Sequence, residues 1–339
     1  MADTKVIGGE YAIDATALHK NPNRSEKPVY SLGRTCFYAI LDSLKDYVDE
    51  ILLPDYICKS IAEVPHRLGI QVRHYHITMD FNPDIDSIQN GLREKNGKKA
   101  ILLISYFGMV NLDETIRSIR SYYQDVRIIV DDVQNYYGYG QHLDFDFCFT
   151  SYRKWFAVPD GADVIAKDAM PELEVYDKSS EYALYKTAGN LLKNHKDMIG
   201  DSISLELIDK GERMMDKEYR YSCSGISGLL YERTDFASIA KRRVENACFL
   251  NDELERLNVD HLYSVNSVPL FIPILIKNRD QVRKMLFNEN IFAPIHWPVE
   301  DIDMQGNNNL YKMELSLICD QRYDKEDMER IIRGLENAM

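Results

Sequence analysis

Between residues 50 and 166 short apolar runs alternate with stretches of helical spacing, a rhythm few folds accommodate. Residues 100–105, Ala-Ile-Leu-Leu-Ile-Ser, lack polar alternation. That is the pattern of a strand covered on both faces. Residues 50–54, 70–76, 127–130 and 145–150 read as further strands, and 162–166 as one that pairs with them. Helical spacing marks 36–44, with Thr35 as a candidate N-cap, then an onset at 60–64 and a stretch at 115–123. The alternation predicts right-handed crossovers and a mostly parallel central sheet sandwiched by helices, an α/β fold. In such a sheet ligands sit beyond the C-terminal strand ends. Gly33, Ser105, Asp131 and Ser151 all fall at or just after strand ends.

The rest of the chain has a different texture. Residues 168–220 are charged and helical in character. A helix is predicted over 236–257, strand character over 268–276, a helix over 279–288, strands over 291–296 and 313–317, and a closing helix over 325–337. This reads as a large α/β domain over 28–235 and a small C-terminal α+β domain over 236–339. Residues 1–27 form an irregular segment expected to pack on the small domain. The acidic run at 80–86 reads as a loop.

The chain has 54 acidic against 41 basic residues, a formal net charge of −13. Such a surface repels nucleic acid and anionic lipid, so neither is expected as a partner. Six cysteines are scattered without metal spacing, and His74 and His76 read as a solvated strand face, so no metal is expected. Cys36 and Cys148 read as core thiols. No apolar signal core or spanning run is present, and the protein is expected to be reduced, soluble and cytoplasmic.

The chemistry concentrates after the strand at 127–130, which is followed by Asp131 and Asp132, and in Ser151-Tyr-Arg-Lys154 after the next strand. An acid at a strand end, a further strand, then Ser-x-x-Lys is the layout of a pyridoxal 5'-phosphate (PLP) site. Lys154 would form an imine with the cofactor and then serve as general base. Asp131 would keep the pyridine nitrogen protonated. Asp132 is the fallback, since neighbours on a strand point to opposite faces. Gln134 would approach the ring hydroxyl. Ser151 would reach the phosphate, and Arg153 would add charge there or face solvent. Gly33, Arg34 and Thr35 supply backbone donors at a helix start. Tyr56 and Tyr106 are candidates to cover the ring. His296 is a candidate for the substrate mouth or for packing. Arg322 is a candidate clamp for a substrate carboxylate or phosphate, with surface pairing as its alternative.

These pieces resemble the DegT/DnrJ/EryC1/StrS group of fold-type-I PLP enzymes, known mainly as sugar aminotransferases. The matching segments are Ser31-Leu-Gly-Arg-Thr35, Leu52-Leu-Pro-Asp-Tyr56, Tyr106-Phe-Gly108, Val130-Asp-Asp-Val-Gln134, the run from Ser151 to Gly161, Ile295-His-Trp-Pro298, and Leu315 to Tyr323. The resemblance implies the ring-nitrogen acid at Asp131, the ring-hydroxyl partner at Gln134, the imine at Lys154, and a homodimer with active sites at the subunit interface. The chain departs from the pattern in three places. Only three residues separate Ser151 from Lys154, Ala162 replaces the second glycine after Pro-Asp, and Arg34 stands where a small hydroxyl residue is usual. It therefore reads as a divergent short member. The expected reaction moves an amino group from an amino acid, glutamate by preference, to a keto acceptor such as a nucleotide-linked keto sugar, placing the enzyme in sugar biosynthesis. A PLP-dependent lyase or dehydratase, and a non-catalytic binding subunit, are the alternatives.

Overall fold

The computed structural model describes residues 5–14, 18–20, 22, 28–93, 97–168, 170–176, 181–195, 201–216 and 219–339. The apolar runs form a six-stranded sheet. In chain order its strands are β2 (Glu50–Pro54), β3 (Gln71–Tyr75), β4 (Lys99–Ile104), β5 (Arg127–Asp131), β6 (Phe147–Ser151) and β7 (Ala162–Ala166). They lie in the order β3-β2-β4-β5-β6-β7, parallel except for β7, which runs antiparallel to β6. Order and direction fit strands joined by helical crossovers. The predicted bounds of β2 and β7 agree with the structure residue for residue, and the others lie within two.

A helix, α1 (Gly33–Leu44), precedes the first of these strands, and the crossovers between strands are α2 (Lys59–Arg67), α3 (Ile85–Arg93) and α4 (Asp113–Tyr122). The acidic run at 80–86 is a loop only at first, because Ile85 and Asp86 already belong to α3. Residues of β4 such as Ile101, Leu102 and Leu103 are fully buried, as expected of a strand covered on both faces. The register fixes the site's frame. Asp131 lies opposite Ile104 on one side and Phe149 on the other, so Ser151 sits two residues further along β6. Asp131 and Ser151 thus share the C-terminal lip of the sheet.

After β7 come α5 (Tyr182–Leu192) and α6 (Asp201–Met215), packed on each other, then α7 (Gly225–Tyr231) and α8 (Phe236–Arg256). The remainder is β8 (Ile272–Leu275), α9 (Arg279–Asn288), β9 (Ile291–Phe292), two single-turn helices α10 (Ile302–Gln305) and α11 (Leu310–Met313), β10 (Glu314–Leu317) and α12 (Lys325–Ala338). A second apolar cluster gathers α8, α9 and α12 on the antiparallel pair β8–β10.

The N-terminal segment does two things. Its first strand, β1 (Ile7–Gly8), pairs in parallel with β9, Ile7 enters the second cluster, and Lys5 binds Asp327. Further on, Ile13 leaves that cluster. It packs with Tyr136, Trp155 and Leu230, and its N–H reaches the Asn190 carbonyl at 3.0 Å. Residues 1–4, 15–17, 21 and 23–27 of the segment lie outside the described residues. Residues 297–311 also cross over. Gln305 donates to the Ile57 carbonyl (3.1 Å), Asn308 to Asp55 (2.7 Å), and Leu310 and Tyr311 join the sheet's own core.

Candidate active site

Above the lip of the sheet lies a cleft of about 360 Å³, and Gly33, Arg34, Asp131, Gln134, Ser151, Lys154 and His296 all line it. Its acids are sorted by the strand's alternation. Asp131 faces the cleft, where Oδ1 accepts the Val133 N–H at 2.8 Å. Asp132 points the other way and is completely buried. It accepts from His142 Nε2 (2.8 Å), Gly140 N–H (3.0 Å), Cys148 Sγ (3.1 Å) and Asn135 Nδ2 (3.2 Å). With four donors spent on it, Asp132 has no role in the cleft, and the fallback assignment drops away. Burial pushes the Asp131 carboxyl up to about 7, with Asp132 adding to the rise; the Val133 N–H and, more weakly, Lys154 act against it.

Lys154 closes the single helical turn that follows β6. Its side chain is open to water in the cleft, yet protein crowds it on several sides. That crowding is the first cause, and the adjacent Arg153 guanidinium the second, of a lowered amine pKa. Lys154 and Asp131 form no ion pair, so the amine is not neutralised by the acid. Gln134 spends its carbonyl oxygen on the Phe107 N–H (2.7 Å), which leaves its amide nitrogen to donate into the cleft.

At one end stands the N-terminus of α1. Leu32 occupies the N-cap and no side chain caps the helix. The first helical bond is Cys36 N–H to the Leu32 carbonyl, so the N–H groups of Gly33, Arg34 and Thr35 have no partner within the helix. Thr35 is therefore not the cap the sequence suggests. It sits inside the first turn, fully buried, with its hydroxyl on Ser31 Oγ (3.0 Å), because the chain turns helical two residues earlier. Gly33 is needed for close approach: a Cβ there would lie 2.7 Å from Val133 Cγ2. Ser151 ends β6 beside this turn, and its hydroxyl does not cap the turn that follows. An uncapped twelve-residue helix start with a hydroxyl beside it offers the kind of donors an anion can use.

Arg34 keeps its N–H at the helix start, but its side chain and several other expected residues turn elsewhere. The Arg34 side chain folds back onto Asp216 (2.9 Å) and the Met215 carbonyl (2.5 Å) and stacks on Tyr219. Arg153 is half-buried at the edge of the cleft, and its charge is already met within the protein. It binds Glu212 at 2.8 Å, and Glu212 also holds Lys186. Although burial opposes its charge, these two cations keep the Glu212 carboxyl down at about 2. Tyr56 and Tyr106 are fully buried in the core behind the cleft and do not line it. Tyr106 donates to the Tyr56 carbonyl at 2.5 Å, and the Tyr56 ring packs on Tyr311 and Trp297. They fill the crossover between strand ends instead of covering a ring.

Arg322 lies in an adjoining cavity of about 330 Å³ that shares Arg153 and Lys154 with the cleft. Its guanidinium is already engaged, with Asp320 through Nε (2.9 Å) and Nη2 (2.7 Å), and with the Gly9 and Glu10 carbonyls through Nη1. Sequence reasoning missed Ile57, Cys58 and Ser60 at the start of α2, Val133, and Leu270 and Phe271. Val133 was discoverable, since it lies inside the Asp-Asp-Val-Gln segment. The 268–271 stretch was hidden by its strand-like composition. Among the described residues no group of three or more metal-ligating side chains occurs, all six cysteines are free thiols, and no helix is long and apolar enough to cross a membrane.

This architecture, a mostly parallel sheet sandwiched by helices with a small C-terminal α+β part, is the fold-type-I fold of solved PLP-dependent aminotransferases. The chain superimposes on a DegT DnrJ EryC1 StrS aminotransferase from Brucella abortus with a TM-score of 0.65 and 16% identity, over 92% of this chain and 86% of that one. A putative sugar aminotransferase from Streptococcus pneumoniae in its PLP form gives 0.70 and 13%, over 99% and 100%. DesV of S. venezuelae, solved with a ketimine intermediate, gives 0.64 and 16%, over 91% and 84%. No family model matches the chain, and no curated protein matches it.

Proposed function

We propose that the chain is a PLP-dependent aminotransferase that takes an amino group from glutamate and passes it to a keto acceptor, a nucleotide-linked keto sugar in the first instance. The reading rests on one observation: Lys154, Asp131, Gln134, Ser151 and the open end of α1 line the same cleft. This donor set fits PLP, which has a phosphate, a basic ring nitrogen, a ring hydroxyl and an aldehyde. When bound, the cofactor withdraws electrons from the substrate carbon. The protein's part follows from its geometry. Ser151 Oγ and the N–H groups of residues 33–35 would hold the phosphate. Asp131, ionised beside a pyridinium, keeps the proton at the ring nitrogen. The Gln134 amide donates towards the ring hydroxyl. The lowered pKa of Lys154 favours the neutral amine, which would hold the cofactor's aldehyde carbon with loss of water and, once a substrate amine had displaced it, would be free to carry the proton to or from the substrate carbon. Ile57, Val133, Phe271 and Trp297 supply the apolar walls that limit water. A homodimer belongs to the same reading. So does sugar chemistry, which draws support from the sugar aminotransferases among the similar structures.

Spectroscopy tests the proposal. The purified chain with added PLP should develop a visible absorbance band, and borohydride should abolish it and fix the cofactor's mass on the peptide carrying Lys154. Glutamate should bleach the band and a keto acid should restore it. The same band in Lys154→Ala, or none in the wild type, would overturn the proposal.

A further inference from the structure

One side chain of the cleft is held by a buried polar chain that the reaction as described does not use. His296 lines the cleft, with its ring set edge-on to Phe107 and packed on Phe271. Its Nδ1 lies 2.9 Å from Ser316 Oγ, which lies 2.5 Å from Glu314 Oε1. The other carboxylate oxygen, Oε2, accepts the His296 backbone N–H at 2.6 Å. Ser316 and Glu314 are both fully buried, two residues apart on β10.

Proton bookkeeping orients this chain. A carboxylate only accepts, so the single Ser316 hydroxyl hydrogen goes to Glu314. The serine oxygen must then accept from His296, which puts the ring proton on Nδ1. A neutral imidazole carries one ring proton, so Nε2 is left as a bare acceptor. Nδ1 is tied to β10, and Nε2 is the ring nitrogen free to serve the cleft.

We infer that Ser316 and Glu314 are positioning residues that fix His296 as the Nδ1–H tautomer, and that its Nε2 accepts a hydrogen bond from a hydroxyl of the substrate near the carbon that exchanges its amine. The inference rests on the aminotransferase reading for the substrate's location and deepens it by assigning the residue that recognises a substrate hydroxyl and the two that orient it. A fixed acceptor discriminates against a molecule that lacks the hydroxyl, because the nitrogen then loses its partner.

Two measurements on the full chain decide it. The first needs no cofactor: long-range proton–nitrogen correlation spectra of the ¹⁵N-labelled protein at about pH 8, where an ordinary imidazole is neutral. The His296 ring is assigned by the signals missing in His296→Gln. The expected pattern has a protonated Nδ1 and a bare Nε2, and Ser316→Ala should move the ring to the Nε2–H form. An Nε2–H ring in the wild type overturns the inference.

The second uses PLP-loaded protein and two amines of one carbon skeleton, 2-amino-1,3-propanediol and isopropylamine, and follows loss of the cofactor band. The wild type should favour the diol about tenfold in kcat/KM, as one net hydrogen bond gives. His296→Phe should reduce the preference to about twofold or less. A preference unchanged in His296→Phe also overturns the inference. If glutamate and both amines leave the band untouched, the aminotransferase reading has failed, and the nitrogen spectra still decide the tautomer.

Discussion

Replacing Asp131 with Asn should weaken the cofactor site and strengthen the empty protein, by an amount that depends on pH. The Asp131 carboxyl stands at about 7 instead of its ordinary 3.8, chiefly because it is buried. Its folded pKa is therefore raised above its unfolded value. Between roughly pH 4 and pH 7 the folded chain keeps a proton that the unfolded chain has released. Stability from this group is complete below that window, falls as pH rises through it, and is fully lost above it. At about 1.36 kcal/mol per pKa unit the whole effect is about 4 kcal/mol, of which about 3 falls between pH 4.5 and pH 8. Asn cannot ionise, and its Oδ1 can still accept the Val133 N–H. Urea unfolding of the cofactor-free wild type and Asp131→Asn at those two pH values isolates the term, because other titrating groups cancel. The variant's advantage should grow by about 3 kcal/mol from the lower to the higher pH. Two unfolding profiles that stay parallel within about 1 kcal/mol would refute the reasoning, since the acid would then not be held against its charge.

Three further substitutions separate site from scaffold. Asp132→Ala strands four buried or half-buried donors and should cost about 3–5 kcal/mol, a fall of about 6–10 °C in Tm by thermal melt; an unchanged Tm would contradict its structural role. Gly33→Ala places a methyl 2.7 Å from Val133 Cγ2. It should cost about 1–3 kcal/mol in urea unfolding and weaken PLP binding, with Val133→Ala restoring much of both. Tyr56→Phe removes a buried hydroxyl that has no hydrogen-bond partner. Stability should hold or rise by up to about 1 kcal/mol, and PLP affinity by titration should not change; a tenfold loss of affinity would return Tyr56 to the site.

The sheet was legible because its signal is local. A run such as 100–105 can be little else than a buried strand, and the alternation with helical spacing dictates the crossovers. The polar half of the site was legible for the same reason, since Asp131, Gln134, Ser151 and Lys154 lie on two adjacent strand ends whose order follows from the topology. The tyrosines failed because a strand-end position does not say which way a ring turns. At Tyr56 and Tyr106 it turns into the core, where burial of a large aromatic surface outweighs any place at the lip. Thr35 failed as a cap because the helix already begins at Gly33, which puts it inside the first turn. Arg322 takes the pairing alternative with its near neighbour Asp320, but its other partners and those of Arg34 and Arg153 were out of reach. Asp216 and Glu212 lie far along the chain, and the Gly9 and Glu10 carbonyls that engage Arg322 carry no side-chain signature. Pairings across such separations are set by tertiary packing.

Residues 297–311 give the molecule a strap. The stretch leaves one side of the cleft at Trp297 and ends fastened to the other, where the Tyr311 hydroxyl meets the Ile57 N–H at 2.8 Å and Gln305 meets the Ile57 carbonyl. A hinge that swung the C-terminal strands away would have to break these fastenings. The two walls of the cleft are therefore tethered to each other through this loop as well as through direct contacts such as Leu270 N–H to the Phe107 carbonyl (2.9 Å) and Gln321 to the Trp155 carbonyl (3.0 Å).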